Sequence, residues 1–255
     1  MKTGEAFFSL LNLVSPPVCA ACGEGTFQNE AVCCKCKAKV VQFSAPCCHK
    51  CGISLAPGVS RICGNCAKKK REYAFAIPAC PYDGIVRDLI LALKLRRHTS
   101  AAPMLADLIM QAIVRDTRIQ SDFLVVPIPV SRLCFRNRGY NQAELIARHL
   151  AKEMCLELST DALVKIRETP RQDELSRLYR LSNLRGAFAV RRNIGNRNIL
   201  LVDDVLTTGS TADECARTLK AAGAASVAVA CVAYTLPGHH GTLSPHSDVY
   251  AEQAD

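Results

Sequence analysis

The sequence has no tryptophan, and aromatic residues make up only 5% of its 255 residues. A protein that binds single-stranded nucleic acid mainly by stacking bases on several aromatic side chains is therefore a poor match. No apolar run approaches the roughly 18 residues that a membrane-spanning helix needs. The GxxxxGK[ST] loop of P-loop ATPases is also absent. The sequence therefore predicts neither a membrane-spanning helix nor a P-loop ATPase.

One N-terminal segment, AFFSLLNLV at residues 6–14, has the length of the apolar part of a signal peptide. It follows Glu5, precedes Pro16-Pro17 and lacks an A-x-A cleavage site, so we interpret it as a retained helix or strand. This predicts a cytoplasmic protein. Two roles stay open for the segment: packing on the chain's own body, and peripheral contact with the inner face of the membrane.

Cysteine is abundant and concentrated, with ten of the fifteen cysteines between residues 19 and 66. Eight of them form C-x2-C pairs in two similar units: Cys19, Cys22, Cys33 and Cys36, then Cys48, Cys51, Cys63 and Cys66. Four thiolates at this spacing bind a tetrahedral zinc ion, so we predict two structural zinc ribbons. A single zinc site is the alternative. A disulfide scaffold is disfavoured because nothing else marks the chain as secreted.

Positive charge is concentrated in the same region, since residues 1–71 carry +7 of the formal +9. Eight thiolates with two Zn2+ contribute about −4, which leaves this head only moderately basic. A basic excess suggests a polyanionic partner. Contact between the head and nucleic acid stays open, because zinc ribbons also serve as structural and protein-docking modules.

Beyond about residue 72 the pattern changes to alternating helices and strands. Apolar residues at helical spacing predict helices at 84–97, 101–114, 140–154 and 211–223, and apolar runs predict strands at 123–130, 198–203 and 226–235. Strands that are apolar throughout indicate a parallel sheet covered by helices on both faces. We therefore expect a zinc-binding head (1–71), an α/β domain (72–236) and a tail (237–255).

The segment ILLVDDVLTTGST at residues 199–211 is the strongest functional signal. Ligands of open α/β sheets bind beyond the carboxyl ends of the strands, where we place Asp203 and Asp204. The turn that follows supplies N–H groups, hydroxyls and a helix N-terminus, which favour a phosphate. Adjacent carboxylates can accept hydrogen bonds from a sugar diol. An ordinary turn capped by Ser210 or Thr211 does not account for the two acids.

These thirteen residues resemble the phosphoribosyl-pyrophosphate (PRPP) signature of type I phosphoribosyltransferases. The resemblance implies that Asp203 and Asp204 are catalytic residues that hold the ribose hydroxyls, with Mg2+ at Asp204. That family's reaction displaces pyrophosphate from C1′ through an oxocarbenium-like state. It also implies that the 5′-phosphate is held by the residues that follow: Val205, Thr207, Thr208, Gly209, Ser210 and Thr211.

Two further segments, 126–151 (VPIPVSRLCFRNRGYNQAELIARHLA) and 167–188 (RETPRQDELSRLYRLSNLRGAF), resemble the ComF family, also called the GntX or competence-protein family. The resemblance implies a zinc ribbon joined to a phosphoribosyltransferase-like domain. It also implies work in the uptake or use of single-stranded DNA, alongside a competence-type helicase or translocase. An active transferase that delivers phosphoribosyl from PRPP to a nucleobase-like acceptor is the alternative.

Several cations could bind pyrophosphate or the DNA backbone in this family context. They are Lys94, Arg132, Arg136, Arg138 and Arg167. Pro127 and Pro129 suggest an edge strand or a bend before a loop that carries the three middle arginines. The segment 165–197 has nine Lys or Arg residues and could fold over the site as a hood. Surface cations in contact with solvent are the alternative for each.

Overall fold

The computed structural model describes residues 17–26, 30–58, 61–119, 122–168 and 184–236. The predictions for segment 6–14, for most of the hood and for the tail fall on residues outside these ranges. The helices are α1 (Cys34–Lys37), α2 (Gly64–Lys68), α3 (Gly84–Leu95), α4 (Ala102–Asp116), α5 (Arg132–Arg138), α6 (Gln142–Glu153) and α7 (Ser210–Ala221). The strands are β1 (Phe75–Pro81), β2 (Phe123–Pro127), β3 (Glu157–Leu158), β4 (Leu163–Lys165), β5 (Phe188–Val190), β6 (Asn198–Leu206) and β7 (Ser226–Tyr234).

The body is built on a five-stranded sheet in the order β1-β7-β6-β2-β3, in which every neighbouring pair is parallel. Strands β4 and β5 form a separate antiparallel pair. The central strands β6 and β7 are apolar on both faces over most of their length because both faces are covered. The predicted α/β architecture with a covered parallel sheet is confirmed.

Each face of the sheet packs against its own set of helices. Leu200 and Val202 of β6 lie in one core with apolar residues of α3, α4 and α6. Ile199 and Leu201, which alternate with them, lie in the other core with residues of α7. The chain therefore leaves β2 towards one face of the sheet and leaves β6 towards the opposite face.

Several boundaries differ from the sequence-based predictions. Strand β1 was not predicted. Strand β6 continues to Leu206, so Asp203 and Asp204 lie within the strand and not at its end. Strand β2 ends at Pro127 and lies between β6 and β3, which makes it an interior strand that ends in a bend, not an edge strand.

The segment with Arg132, Arg136 and Arg138 is the helix α5 and not a loop. The Ser131 side chain accepts a hydrogen bond from the Cys134 N–H (3.2 Å), which caps the N-terminus of the helix. Gly139 ends it in the left-handed conformation, with φ of 85°. The sequence therefore carries both end signals of a short helix that apolar periodicity did not reveal.

The head contains two four-cysteine clusters with the predicted membership. In each set the four sulfur atoms lie within 4.8 Å of one another: Cys19, Cys22, Cys33 and Cys36 in the first cluster, and Cys48, Cys51, Cys63 and Cys66 in the second cluster. Four sulfurs that bind a tetrahedral zinc ion at 2.3 Å stand about 3.8 Å apart. The recorded sulfur separations are 3.8 Å for Cys22–Cys33 and 3.7 Å for Cys51–Cys63, so both clusters fit zinc.

The two clusters repeat the same stabilising contact. The N–H of Cys33 donates to Sγ of Cys19 (3.4 Å), and that of Cys63 donates to Sγ of Cys48 (3.3 Å). Burial alone would raise the pKa of Cys19 and Cys48, but backbone N–H donors outweigh burial and lower these pKa values to about 6 and about 7. Both thiols are thereby prepared to bind a cation as thiolates.

The head also covers the edge of the sheet. The N–H of Phe43 donates to the carbonyl of Ala79 (2.9 Å), and the N–H of Ala76 donates to the carbonyl of Lys50 (2.9 Å). These bonds pair the exposed side of β1 with head residues, which removes an edge open to pairing with another chain. Among the described residues, no helix combines the length and the apolar character that a membrane crossing demands.

The clusters predict two zinc ions per chain. Replacing Cys33 with serine removes a ligand of the first cluster, so we expect metal analysis of that variant to give one zinc. Cys34→Ser is the matched control, because Cys34 is exposed, adjacent in sequence and outside both clusters. A single zinc in the unmodified protein, or equal loss in both variants, would contradict the two-site assignment.

Candidate functional site

The site is a crevice between the carboxyl ends of β2 and β6. Because the chain leaves these neighbouring strands towards opposite faces of the sheet, neither of the described crossovers passes over the gap between their ends. Such a switch point is where open α/β sheets bind ligands. The fold itself therefore places a crevice beside the acid pair and the turn at 207–211.

Strand β6 is longer than β2 at this edge, and the difference opens the crevice further. Pairing between them ends at Pro127 opposite Val202, followed by one hydrogen bond from the Ile128 N–H to the Val202 carbonyl (2.9 Å). From Asp203 to Leu206, β6 pairs only with β7 in the described part of the chain. Among the described residues, the β2 side of the last four residues of β6 therefore has no strand partner.

The two acids lie on opposite faces of the sheet. Asp203 alternates with Leu201 and neighbours Cys215 of α7 and Cys231 of β7, both of which feel its charge. Asp204 alternates with Val202 and so faces the side of α3, where it meets Lys94. The N–H of Asp204 donates to Oδ1 of Asp203 (2.8 Å), which fixes that carboxylate against the strand.

Asp203 has an unusual protonation equilibrium for a carboxylic acid. Burial, reinforced by the negative charge of Asp204, raises the pKa of Asp203 from 3.8 to about 7, although Lys94 acts in the opposite direction. Strongly shifted carboxyl groups in a crevice are typical of functional sites. Near neutral pH this side chain can either donate or accept a hydrogen bond.

Lys94 lies beside the acid pair. Its Nζ lies 2.9 Å from Oδ2 of Asp204, and both side chains are largely buried. Burial alone would lower the pKa of Lys94, but the charge of Asp204 and its hydrogen bond more than offset this and raise it. The Tyr140 hydroxyl donates to the carbonyl of Leu93, which fixes the end of α3 that carries Lys94.

The turn after β6 presents unused backbone donors. In the described ranges, no hydrogen bond within the protein engages the N–H groups of Thr207, Thr208 and Gly209. Gly209 is the N-cap of α7, with φ of 73° and no side-chain cap, so the alternative of an ordinary turn capped by Ser210 or Thr211 is not what the structure has. The hydroxyls of Thr208 and Ser210 lie 2.9 Å apart. N–H groups and hydroxyls at the start of a twelve-residue helix can bind a phosphate.

Two of the predicted arginines line a cleft that begins at the same edge of the sheet. This cleft, which we call the α5 cleft, has a volume of about 620 Å³ and contains Arg132 and Arg136 together with Lys165 and Arg191. Its lining includes residues 129–131, which follow the end of β2 after one intervening residue. The other two arginines lie elsewhere: Arg138 ends α5 outside this lining, and Arg167 donates to the carbonyl of Arg185 (2.9 Å).

The structure adds residues behind the turn that sequence reasoning missed. Nη1 of Arg71 donates to the Thr208 carbonyl (2.7 Å) and to Oδ2 of Asp213 (2.8 Å), and Nζ of Lys69 lies 3.3 Å from the same carbonyl. In the sequence these cations belong to the run KKKR at 68–71, which gives no sign of a partner more than 130 residues away.

The raised pKa of Asp203 predicts how this group affects stability. Between about pH 4 and 7 the folded protein retains a proton that the unfolded chain has released, so ionisation of Asp203 lowers stability as the pH rises through this window. Asp203→Asn abolishes the titration. We therefore expect the free energy of unfolding of the variant, relative to that of the unmodified protein, to increase from pH 5.5 to pH 8. The expected gain is at least about 1.4 kcal/mol, the equivalent of one pKa unit.

Urea unfolding at a series of pH values measures this difference, and the change with pH is independent of any constant effect of the amide. Asp88→Asn, which removes a half-exposed carboxylate of α3, serves as the control for the loss of an acid elsewhere in the fold. A difference between Asp203→Asn and the unmodified protein that stays constant from pH 5.5 to 8 would contradict the assignment.

Comparison with known proteins agrees with this architecture. A double zinc ribbon domain family matches residues 10–81, and a phosphoribosyl transferase domain family matches residues 133–251. Among solved structures, a hypoxanthine phosphoribosyltransferase from Staphylococcus aureus is 15% identical, covers 54% of this chain and 73% of its own, and gives a weak TM-score of 0.36.

Curated relatives extend over most of the chain. The DNA utilization protein YhgH of Salmonella typhimurium is 30% identical over 227 residues, which are 88% of this chain and 100% of the relative. Competence protein F of Haemophilus influenzae is 29% identical, over 79% of this chain and 89% of its own length. Competence protein ComFC of Bacillus subtilis is 26% identical, over 78% and 81%. The chain therefore belongs to the ComF family, which includes YhgH and ComFC and joins a double zinc ribbon to a phosphoribosyltransferase domain.

Proposed function

We propose that the protein binds a 5-phosphoribosyl ligand such as PRPP in the β2–β6 crevice, as part of its work on single-stranded DNA. The observation that carries the proposal is the open end of β6, where an acid pair adjoins a turn with unused N–H donors. A phosphate needs the donors and a sugar diol needs the acceptors. The donors and the acceptors all lie between Asp203 and Thr211.

Each group in the crevice has a distinct task in this proposal. The turn at 207–211 holds the 5′-phosphate at the N-terminus of α7. Asp203 and Asp204 accept hydrogen bonds from the ribose hydroxyls. Their carboxylate oxygens also suit Mg2+, which would bring positive charge to the pyrophosphate of PRPP. Lys94 keeps one negative charge of the acid pair balanced before ligand binds.

The α5 cleft is the surface that we propose for DNA. Helix α5 exposes Leu133 and Phe135, with 60% and 48% of their surface accessible, beside Arg132 and Arg136. A base can stack on the Phe135 ring while the arginines contact its phosphates, and an unpaired strand offers such bases. Because a single aromatic side chain can stack only one base, most of the affinity must come from phosphate contacts. The affinity must therefore fall steeply as the salt concentration rises.

The names of the relatives support this assignment, because they refer to DNA utilization and to competence. The lining of the cleft includes residues 129–131, which follow the carboxyl end of β2, so a strand in the cleft would bring a nucleotide to the same edge of the sheet as the sugar site. A competence-type helicase or translocase, as the family resemblance implies, would deliver that strand.

Removal of the acid pair tests the sugar site. We expect Asp203→Asn with Asp204→Asn to weaken PRPP binding in the presence of Mg2+ by more than 10-fold, because the diol and the metal lose their charged acceptors. Isothermal titration calorimetry measures the affinity, and circular dichroism confirms the fold. Asp88→Asn should bind as the unmodified protein does. Equal affinity in the double variant would overturn the site.

A transferase can be separated from a binding protein by its products. Incubation with PRPP, Mg2+ and candidate nucleobases should release pyrophosphate if the protein transfers phosphoribosyl to a small acceptor. If the protein binds PRPP but releases no pyrophosphate from it in the presence of any free base, the DNA role is favoured. Turnover with a free base would make the transferase alternative the primary function.

Changes in α5 test the DNA surface. We expect Phe135→Ala to weaken binding of a single-stranded oligonucleotide about 10-fold, since base–aromatic stacking contributes about 1–3 kcal/mol. Arg136→Ala should reduce the slope of log affinity against log salt by about 0.7, the effect of one phosphate contact on single strands. Fluorescence anisotropy across salt concentrations measures both.

Lys152→Ala is the matched control for this surface. Lys152 is an exposed cation near the far end of α6, at the opposite edge of the sheet from the α5 cleft. It should leave affinity and salt slope unchanged. If Phe135→Ala and Arg136→Ala also leave them unchanged, the DNA contact lies elsewhere, with the basic head as the next surface to test.

A further inference from the structure

The most specific contact that the proposed function does not use is the one between Arg71 and the back of the phosphate-binding turn. The Arg71 side chain is 7% exposed. Its Nη1 group donates to the Thr208 carbonyl (2.7 Å) and to Oδ2 of Asp213 (2.8 Å), while the N–H of Glu72 donates to Oδ1 of Asp213 (3.0 Å). Two backbone segments far apart in sequence are thus tied together by one arginine and one aspartate.

The turn is shaped to receive this guanidinium group. A Cβ atom at Gly209 would lie 2.6 Å from Nη1 of Arg71, closer than real Cβ atoms approach their neighbours. Gly209 also has φ of 73°, which non-glycine residues rarely adopt. Glycine at this position therefore meets two requirements, the left-handed backbone and the close approach of Arg71.

The contact with the Thr208 carbonyl has a direct consequence for the donors of the turn. The carbonyl of Thr208 and the N–H of Gly209 belong to the same peptide plane, and in a trans peptide they point in opposite directions. Holding the carbonyl towards Arg71 therefore turns the Gly209 N–H away from the head. Lys69, 3.3 Å from the same oxygen, adds a second cation that polarises this peptide group.

The position of Arg71 is set by the second cysteine cluster. Arg71 follows Cys66 by five residues, and Lys50, between Cys48 and Cys51, donates to the carbonyls of Tyr73 (2.9 Å) and Ala74 (3.0 Å). Gly52 lies so close to β1 that a Cβ atom there would be 2.3 Å from Cδ of Pro78. The chain on both sides of Arg71 is therefore held by this cluster.

The buried Arg71 side chain carries a free-energy cost that a purely structural role does not explain. Its guanidinium lies over the Tyr73 ring at 5.6 Å, but its buried Nε group has no hydrogen-bond partner among the described residues. An unsatisfied buried donor lowers stability. Its recorded hydrogen bonds go to Thr208 and to Asp213 in the first turn of α7, which points to a role in the turn.

We propose that Arg71 is a positioning residue for the phosphate-binding turn, and that metal bound by the second cysteine cluster, but not by the first, maintains it. Loss of the second metal would release Arg71 and lower the affinity for a phosphorylated sugar. The inference rests on the proposed function in one respect, namely that residues 207–211 bind the phosphate. Orientation of the turn itself can be measured without any ligand.

The first test compares two arginines that each contact both the head and the body. Arg118 is the matched control, because it lies over the Phe75 ring at 4.0 Å and donates to the carbonyl of His49 (2.8 Å), with no recorded contact to residues 207–211. We expect Arg71→Met to weaken PRPP binding at least 10-fold and Arg118→Met less than 3-fold, by calorimetry. Arg71→Lys keeps the charge, so partial recovery of affinity would separate charge from the fork geometry of arginine.

The second test uses the metal clusters. Cys66→Ser removes a ligand of the second cluster and Cys36→Ser removes one of the first. We expect both to lose one zinc, and only Cys66→Ser to lose PRPP affinity. This comparison keeps the proposal testable if Arg71→Met does not fold. Equal affinity in both cysteine variants, or equal loss in both, would overturn the link to the second cluster.

A third measurement separates failure of this inference from failure of the proposed function. In ligand-free protein, the amide NMR resonance of Gly209 should move in Arg71→Met and stay in place in Arg118→Met. If this occurs but the unmodified protein binds no PRPP, the positioning role stands and the proposed ligand is wrong. If the unmodified protein binds PRPP and the Gly209 resonance and the affinity are unchanged in Arg71→Met, the inference is wrong.

Discussion

The site depends on a mismatch in length between two neighbouring parallel strands. Among the described residues, β2 stops pairing at Val202, and β6 continues for four residues with only β7 beside it. Because the crossovers from the two strands go to opposite faces of the sheet, the space beside these four residues lies at a switch point of the fold. The acid pair, Lys94 and the donors of the following turn all border that space. These residue types are common in proteins. Their position around the same space is what makes them a candidate ligand site.

The head contacts the body at both the sheet edge and the turn after β6. It pairs with the edge of β1 through backbone hydrogen bonds, and it supplies Arg71 and Lys69 to the back of the turn at 207–211. Zinc in the second cluster would therefore stabilise both the sheet edge and the turn at 207–211. The basic excess of the head, which first suggested a polyanion, acts in part inside the protein.

The sequence predicted the features that depend on local pattern. Cysteine spacing gave the membership of both clusters, and the apolar runs of β6 and β7 gave the covered parallel sheet. Strand β1 was missed because FAIPACP contains two prolines, which cannot donate to a strand ladder. Arg71 was missed because KKKR resembles a solvated run of charge, and only the fold brings it to Thr208. The face of the sheet on which each acid lies could not be predicted, because the sequence pattern ended the strand at Asp203 and β6 continues to Leu206.

The most direct test of the central claim is a map of amide resonances during titration with ribose 5-phosphate, which has the sugar and the phosphate but no pyrophosphate. The account predicts that the largest shifts occur at the amides of Thr207, Thr208 and Gly209, with smaller shifts near Asp203 and Asp204. Saturable binding that leaves these amides unmoved and shifts another surface would contradict it.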